Sequence, residues 1–359
     1  MNRYLVTGGA GFIGSNFIRY MFKKYGPAIK IINLDALTYA GNLENLRDIA
    51  DYPNYEFIRA DVCDRGAVEK IFEANEINRV IHFAAESHVD RSILDPEVFV
   101  KTNVLGTAVL LNAAKKYWEK GSGFGNVKYV QVSTDEVYGP LGETGYMTED
   151  TPLDPRSPYS ASKTAADLLV KAYYETYKFP AVITRCSNNY GPCQFPEKFI
   201  PLIIANALSG KKIPVYGDGR QVRDWLYVDD HAKAIDLAAE GGAPGQIYNV
   251  GGHNERYNID IVRTIIKKLR ERLPENDPRR EKINDELIEH VTDRKGHDRR
   301  YAIDPKKIKA DLGWVPEIMF EDGIADTIDW YLKNEDWIRS VTSGDYLDYY
   351  EKNYGGRDL

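Results

Sequence analysis

A chain of 359 residues has room for about two domains, and its 43% hydrophobic and 28% charged residues supply enough apolar surface for a sizeable core, which argues against disorder over most of the length. Forty-seven Lys and Arg stand against 54 Asp and Glu, a net charge of -7, so no global basic field exists to hold nucleic acid. No apolar run approaches the roughly 18 residues of a membrane span, and Cys63, Cys186 and Cys193, without C-x-x-C spacing, argue against a disulfide framework or a metal cluster; a cytoplasmic protein with a native start is expected.

The first half alternates short apolar runs with longer amphipathic stretches. Strands are expected at Tyr4–Val6, Ile29–Leu34, Tyr55–Ile58, Arg79–Ala84, Tyr129–Ser133 and Val182–Arg185, with helices at Phe12–Tyr25, Glu97–Glu119 and Tyr159–Tyr177. This alternation implies an α/β protein with a Rossmann-type, doubly wound parallel sheet. Burial on both faces of such a sheet explains why the runs are continuously apolar. From about Pro192 the rhythm changes. A helix opens within Phe195–Pro201, Lys212–Gly219 reads as strand and turn, and the charged Arg272–His290 stretch reads as a solvated helix-loop excursion. The expected division is residues 1–191 for a Rossmann domain, with some later elements crossing back, and 192–359 for a smaller mixed substrate-binding domain.

Directly after the first strand, Gly8, Gly11 and Gly14 are spaced G-x-x-G-x-x-G. A turn without side chains lets backbone N–H groups approach a pyrophosphate, and the following helix aims its positive end at the same charge. The loop follows a strand, opens an amphipathic helix, and precedes an acidic residue, Asp35, at the end of the second strand. Asp35 can accept hydrogen bonds from ribose hydroxyls and would repel a 2′-phosphate, so NAD is expected rather than NADP. Asp61 and Val62, after the third strand, are placed for an adenine contact; Asp61 could equally cap the helix that starts near Arg65.

Tyr159 and Lys163 stand four residues apart, hence on one helix face. A cation near a phenol favours the phenolate, a general base for an alcohol proton. In a chain with 25 tyrosines the spacing recurs, at Tyr20/Lys24 and Tyr174/Lys178, where solvated helix positions are the better reading. Tyr159 differs in its setting, downstream of the polar cluster Ser133-Thr134-Asp135-Glu136 at the C-terminal edge of a central strand, where open parallel sheets bind ligands.

The glycine loop with Tyr159/Lys163 resembles the extended short-chain dehydrogenase/reductase superfamily of nucleotide-sugar enzymes. The run Ser133-Thr134-Asp135-Glu136-Val137-Tyr138-Gly139 more narrowly resembles the dTDP-glucose 4,6-dehydratase family, as do Asp35–Asn42, Ala84–Ser92, Ser187–Pro192, Arg223–Trp225 and Asp293–Asp298. The resemblance implies dehydration of dTDP-glucose by an internal hydride cycle through NAD, in a homodimer packed through helices near 97–118 and 159–177. It implies catalytic roles for Thr134, Asp135, Glu136, Tyr159 and Lys163. It places Gly8, Gly11, Phe12, Ile13, Gly14, Asp35, Leu37, Thr38, Asp61, Val62, Ala84, Ala85, Glu86, Thr102, Tyr159, Lys163 and Asn189 against NAD. Substrate contacts are implied for Ser87, Thr134, Asn188, Lys198, Phe199, Pro214, Tyr216, Arg223, Asn258, Arg294 and His297. Lys295 departs from the proline usual in this last loop. The other readings are a UDP- or GDP-hexose dehydratase, a nucleotide-sugar C4 epimerase, which needs no acid–base pair beyond Tyr and Lys, and an NAD-sensing scaffold without turnover.

Overall fold

Alternate residues of the first strand serve two different cores. Leu5 packs with Val68, Leu110 and Val170 on one side, while Tyr4 and Val6 pack with Phe17, Ile18 and Ile235 on the other. The computed structural model describes residues 1–121, 123–293 and 297–342. In chain order its strands are β1 (Asn2–Thr7), β2 (Ile29–Asp35), β3 (Tyr55–Arg59), β4 (Arg79–His82), β5 (Lys128–Thr134), β6 (Ala181–Cys186), β7 (Asn188–Tyr190), β8 (Ile213–Tyr216), β9 (Val222–Tyr227), β10 (Ile247–Val250), β11 (Glu255–Tyr257) and β12 (Ile288–Val291). Seven form one parallel sheet in the order β10-β6-β5-β4-β1-β2-β3. The expected Rossmann-type α/β fold is therefore present, and the strand order reverses between β1 and β4, where such sheets open a ligand crevice.

The seventh strand, β10, arrives late in the chain, and helix Val228–Gly241 packs on the sheet beside it. The remaining strands build two small sheets, β11-β9-β7 and β12-β8, around a separate core that includes Ile203, Trp225, Ile265 and Phe320.

Helix Phe12–Tyr25 has the bounds expected from its pattern, with Lys23 and Lys24 in the last turn. Helix Pro158–Tyr177 begins with a capping box between Ser157 and Ser160 and with proline in its first turn, which fixes where Tyr159 sits. Several sequence expectations need correction. The single helix expected over Glu97–Glu119 is broken into Pro96–Phe99, a π-helical stretch Val100–Leu105, and Gly106–Lys120; Asn103 in the π stretch spends its side chain on Glu86 and Ser162. The helix expected to open within Phe195–Pro201 does so, at Phe199. The charged excursion ends in β12, paired with β8. Lys24 is not simply solvated, since its ammonium meets the buried Asp236 at 2.5 Å.

Candidate active site

A cleft of about 310 Å³ opens over the C-terminal ends of the central strands. Its wall contains Gly8, Gly11, Phe12, Ile13, Gly14, Asp35, Thr38, Asp61, Val62, Ala84, Ala85, Glu86, Thr102 and Asn189, together with Thr134, Glu136, Tyr159, Lys163, Ser87, Asn188 and Lys198. Leu37 is off the wall; its N–H donates to Asp35 Oδ1 at 2.8 Å, and its backbone has φ of 54°.

The first end of the cleft is shaped by two glycines. Gly8 has φ of +72°, and a Cβ there would lie 2.6 Å from the Ala84 nitrogen. A Cβ on Gly14 would lie 2.3 Å from the Gly8 carbonyl, so only glycine lets the helix press onto the turn. The Gly11 N-cap has no side chain to satisfy the helix N–H groups, and the first turn holds no acidic residue, which leaves the positive end open to an anion. Asp35 is buried, and burial pushes its carboxyl above the ordinary range against the pull of the Ala10 and Leu37 N–H groups. Asp61 is exposed and accepts the Cys63 N–H at 2.8 Å. The helix cap is Asp64, which accepts from Ala67, so Asp61 is not used as the cap.

At the other end stand the catalytic candidates. Thr134, closing β5, donates to Asp135 Oδ1 and accepts the Glu136 N–H, both at 3.3 Å. Asp135 lies behind the wall, 2% exposed, with Oδ2 lacking a hydrogen-bond partner among the described residues. Burial first, then the charges of Glu136 and Asp224, hold its carboxyl well above the usual range. Tyr159 is likewise pushed well above the phenol range, by burial and then by the Glu136 charge, while a hydrogen bond with Thr134 opposes the shift. The Lys163 ammonium is buried, donates to the Val132 carbonyl at 2.8 Å, and is lowered chiefly by burial. The protein alone therefore stabilises a phenol at Tyr159, not a phenolate.

The expected substrate contacts separate into two groups. Ser87, Asn188 and Lys198 reach the wall, with Lys198 donating to the Ser87 carbonyl at 2.6 Å. Phe199, Pro214, Tyr216, Arg223, Asn258 and His297 lie beyond it. Phe199 stacks on Trp225, and Pro214 is buried in β8. Tyr216 donates to Asp90 at 3.0 Å, and His297 meets Asp293 at 2.6 Å. Arg223 donates to the Val222 and Asp298 carbonyls beneath the Tyr301 ring. The Asn258 side-chain oxygen is buried without a partner among the described residues. Arg294 and Lys295 lie outside the described residues. Sequence reasoning missed Cys186, Gln194, Phe195 and Glu197, which also line the cleft. Glu197 was the findable one, a carboxylate between Pro196 and Lys198 in a segment already singled out; it is 3% exposed and takes the Arg91 guanidinium at 2.8 Å.

A family model described as GDP-mannose 4,6 dehydratase matches residues 5–327. The chain belongs to this nucleotide-sugar dehydratase family. A relative from Shigella flexneri named dTDP-glucose 4,6-dehydratase is 50% identical over 99% of this chain and 99% of its own. The crystal structure of dTDP-glucose 4,6-dehydratase from Bacillus anthracis str. Ames in complex with NAD superposes with a TM-score of 0.84 at 48% identity, covering 95% of this chain and 100% of that one. The dTDP-glucose 4,6-dehydratase of Streptomyces venezuelae with NAD and TYD bound gives 0.86 at 44%, over 94% and 99%. Among the described residues of this family member, no helix is long and apolar enough to cross a membrane.

Proposed function

We propose that the chain is an NAD-dependent dTDP-glucose 4,6-dehydratase, a hydro-lyase that yields dTDP-4-keto-6-deoxyglucose. The observation that carries this reading is the pair Asp135 and Glu136 beside Thr134 and Tyr159. An epimerase returns hydride to the carbon it left and has no use for a second acid and base. The Gly8/Gly14 turn, whose space a Cβ would fill, and the buried Asp35 carboxylate fit a dinucleotide; with Phe12, Ile13, Thr38, Asp61 and Asn189 they would hold it. NAD, when bound, supplies a hydride acceptor for C4 and the same hydride for C6.

The chain's own residues then divide the proton traffic. Tyr159 would act as the phenolate, a state that the buried Lys163 cation on its helix face and the positive charge of NAD, when bound, would favour; it takes the proton of the 4-hydroxyl, and Thr134 hydrogen-bonds the same oxygen. Once C4 is a ketone, Glu136 removes the acidified C5 proton, and it returns a proton to C5 after water has left. Asp135, kept protonated by burial and by its neighbour's charge, delivers a proton to the 6-hydroxyl as it leaves as water. Arg223 and Lys198 meet the diphosphate, whose charge guanidinium and ammonium groups suit. Residues 1–191 serve mainly the cofactor and 192–359 mainly the nucleotide sugar.

A homodimer is part of the proposal. Val100, Leu105 and Leu168 are 56%, 49% and 52% exposed on the two helical stretches expected to pair, beside a groove lined by Val104, Ala108 and Leu169. The three cysteines are free of disulfides, in keeping with a cytoplasmic enzyme. Incubation of the purified protein with dTDP-, UDP- and GDP-glucose, without added cofactor, tests the reading. A 4-keto-6-deoxy product from the dTDP sugar supports it; an epimerised hexose with no loss of water overturns it.

A further inference from the structure

Ala10, in the middle of the glycine turn, is tied on both sides. Its N–H donates to Asp35 Oδ2 at 2.9 Å, and its carbonyl accepts the Asn45 side-chain amide at 2.9 Å and the Asn42 N–H at 3.0 Å. The Ala10 carbonyl shares a peptide plane with the Gly11 N–H, which closes the turn onto the Gly8 carbonyl at 3.2 Å. Pinning that carbonyl therefore holds the turn closed.

Asn45 is 1% exposed. Its oxygen accepts the indole N–H of Trp337 at 2.9 Å, from 292 positions along the chain. An indole N–H can only donate, so the amide must present its oxygen there, and this turns Nδ2 toward Ala10. Trp337 lies on helix Glu335–Val341, held by its ring contacts with Trp330 and Tyr331 and by the Arg279–Glu335 ion pair at 2.9 Å. The Tyr331 hydroxyl also donates to the carbonyl of Gln194, a cleft residue, at 2.6 Å. One C-terminal helical unit thus reaches the glycine turn, through Asn45, and a second part of the cleft wall, at Gln194.

We propose that Trp337 and Asn45 are positioning residues for the dinucleotide, an indole–amide–carbonyl relay through which the C-terminal helix sets how tightly the glycine turn holds NAD. The inference rests on the NAD reading above. It is tested by loading the parent chain, Trp337→Phe, Asn45→Ala and the double variant with NAD, diluting, and following nucleotide release by rapid filtration. Each single variant is expected to release NAD about 5- to 10-fold faster, the scale of one lost hydrogen bond. The double variant is expected to match the singles, because both break one relay. Affinity for dTDP, measured by calorimetry, is expected to stay at the parent value. Unchanged release rates, effects that multiply in the double variant, or dTDP binding that weakens in step would each overturn the relay. A parent chain that retains no NAD would instead sink the cofactor reading, and the relay with it.

Discussion

Asp135 and Thr134 share a 3.3 Å hydrogen bond through one carboxyl oxygen, while the other carboxyl oxygen is buried and finds no partner among the described residues. A group so placed is kept neutral at the expense of stability, because between the ordinary carboxyl pKa and its raised folded value the folded state holds a proton that the unfolded chain releases. Stability therefore declines as pH rises through that window. Asp135→Asn is expected to slow dehydration by about 10²- to 10⁴-fold yet to raise the melting temperature at pH 7. That gain should shrink toward pH 4. A variant less stable than the parent at pH 7 would contradict this account.

The three Tyr-x-x-x-Lys pairs separate experimentally. Tyr159→Phe is expected to cost about 10²-fold or more in turnover. Tyr20→Phe and Tyr174→Phe should keep parental turnover, since neither residue lines the cleft. Steady-state rates on dTDP-glucose check all three.

Gly14→Ala places a methyl 2.3 Å from the Gly8 carbonyl. The helix must then back away from the turn, with an expected loss of about 2 kcal/mol or more of stability and of bound NAD. Gly142→Ala, whose Cβ would meet nothing within 4 Å, is the matched control. Denaturant melts and nucleotide content distinguish them.

His82 and His231 are fully buried, and burial holds each near a pKa of about 3. The unfolded chain takes up these protons below about pH 6.5 and the folded one does not, so stability falls on acidification from that point. Each histidine contributes at most about 1.4 kcal/mol per pH unit. His231→Gln should flatten the fall of unfolding free energy between pH 6.5 and 5. An equally steep fall would show that other groups carry it.

Leu105→Glu puts a charge on the exposed face of the helical stretches proposed to pair in the dimer. Sedimentation should show a dimer for the parent and a monomer for the variant; a monomeric parent removes the dimer from the proposal.

The elements legible from sequence were those written in local pattern. The bounds of helix Phe12–Tyr25, the glycine turn and the acidic end of β2 follow from spacing and residue type over a few tens of residues. What the sequence hid depends on distant partners. The π stretch at Val100–Leu105 contains Asn103, whose amide reaches Glu86 and Ser162, and no helical pattern announces that. The cap at Asp64 instead of Asp61 is a shift of three residues between two acids that look alike to sequence. Glu197 and Trp337 lie in the later half yet act on first-half residues Arg91 and Asn45, a pairing that only the closed fold brings about.

The late arrival of β10 has a consequence for how the chain comes off the ribosome. Until residues 247–250 emerge, β6 is an open edge of a parallel sheet, the kind of surface that invites pairing with other chains. Sixty residues lie between the end of β6 and the start of β10, among them strands of the two small sheets, and must be made before that edge is covered. Nascent chains of this protein should therefore depend on chaperones most heavily within that interval, and stalling there should be the costliest place to pause.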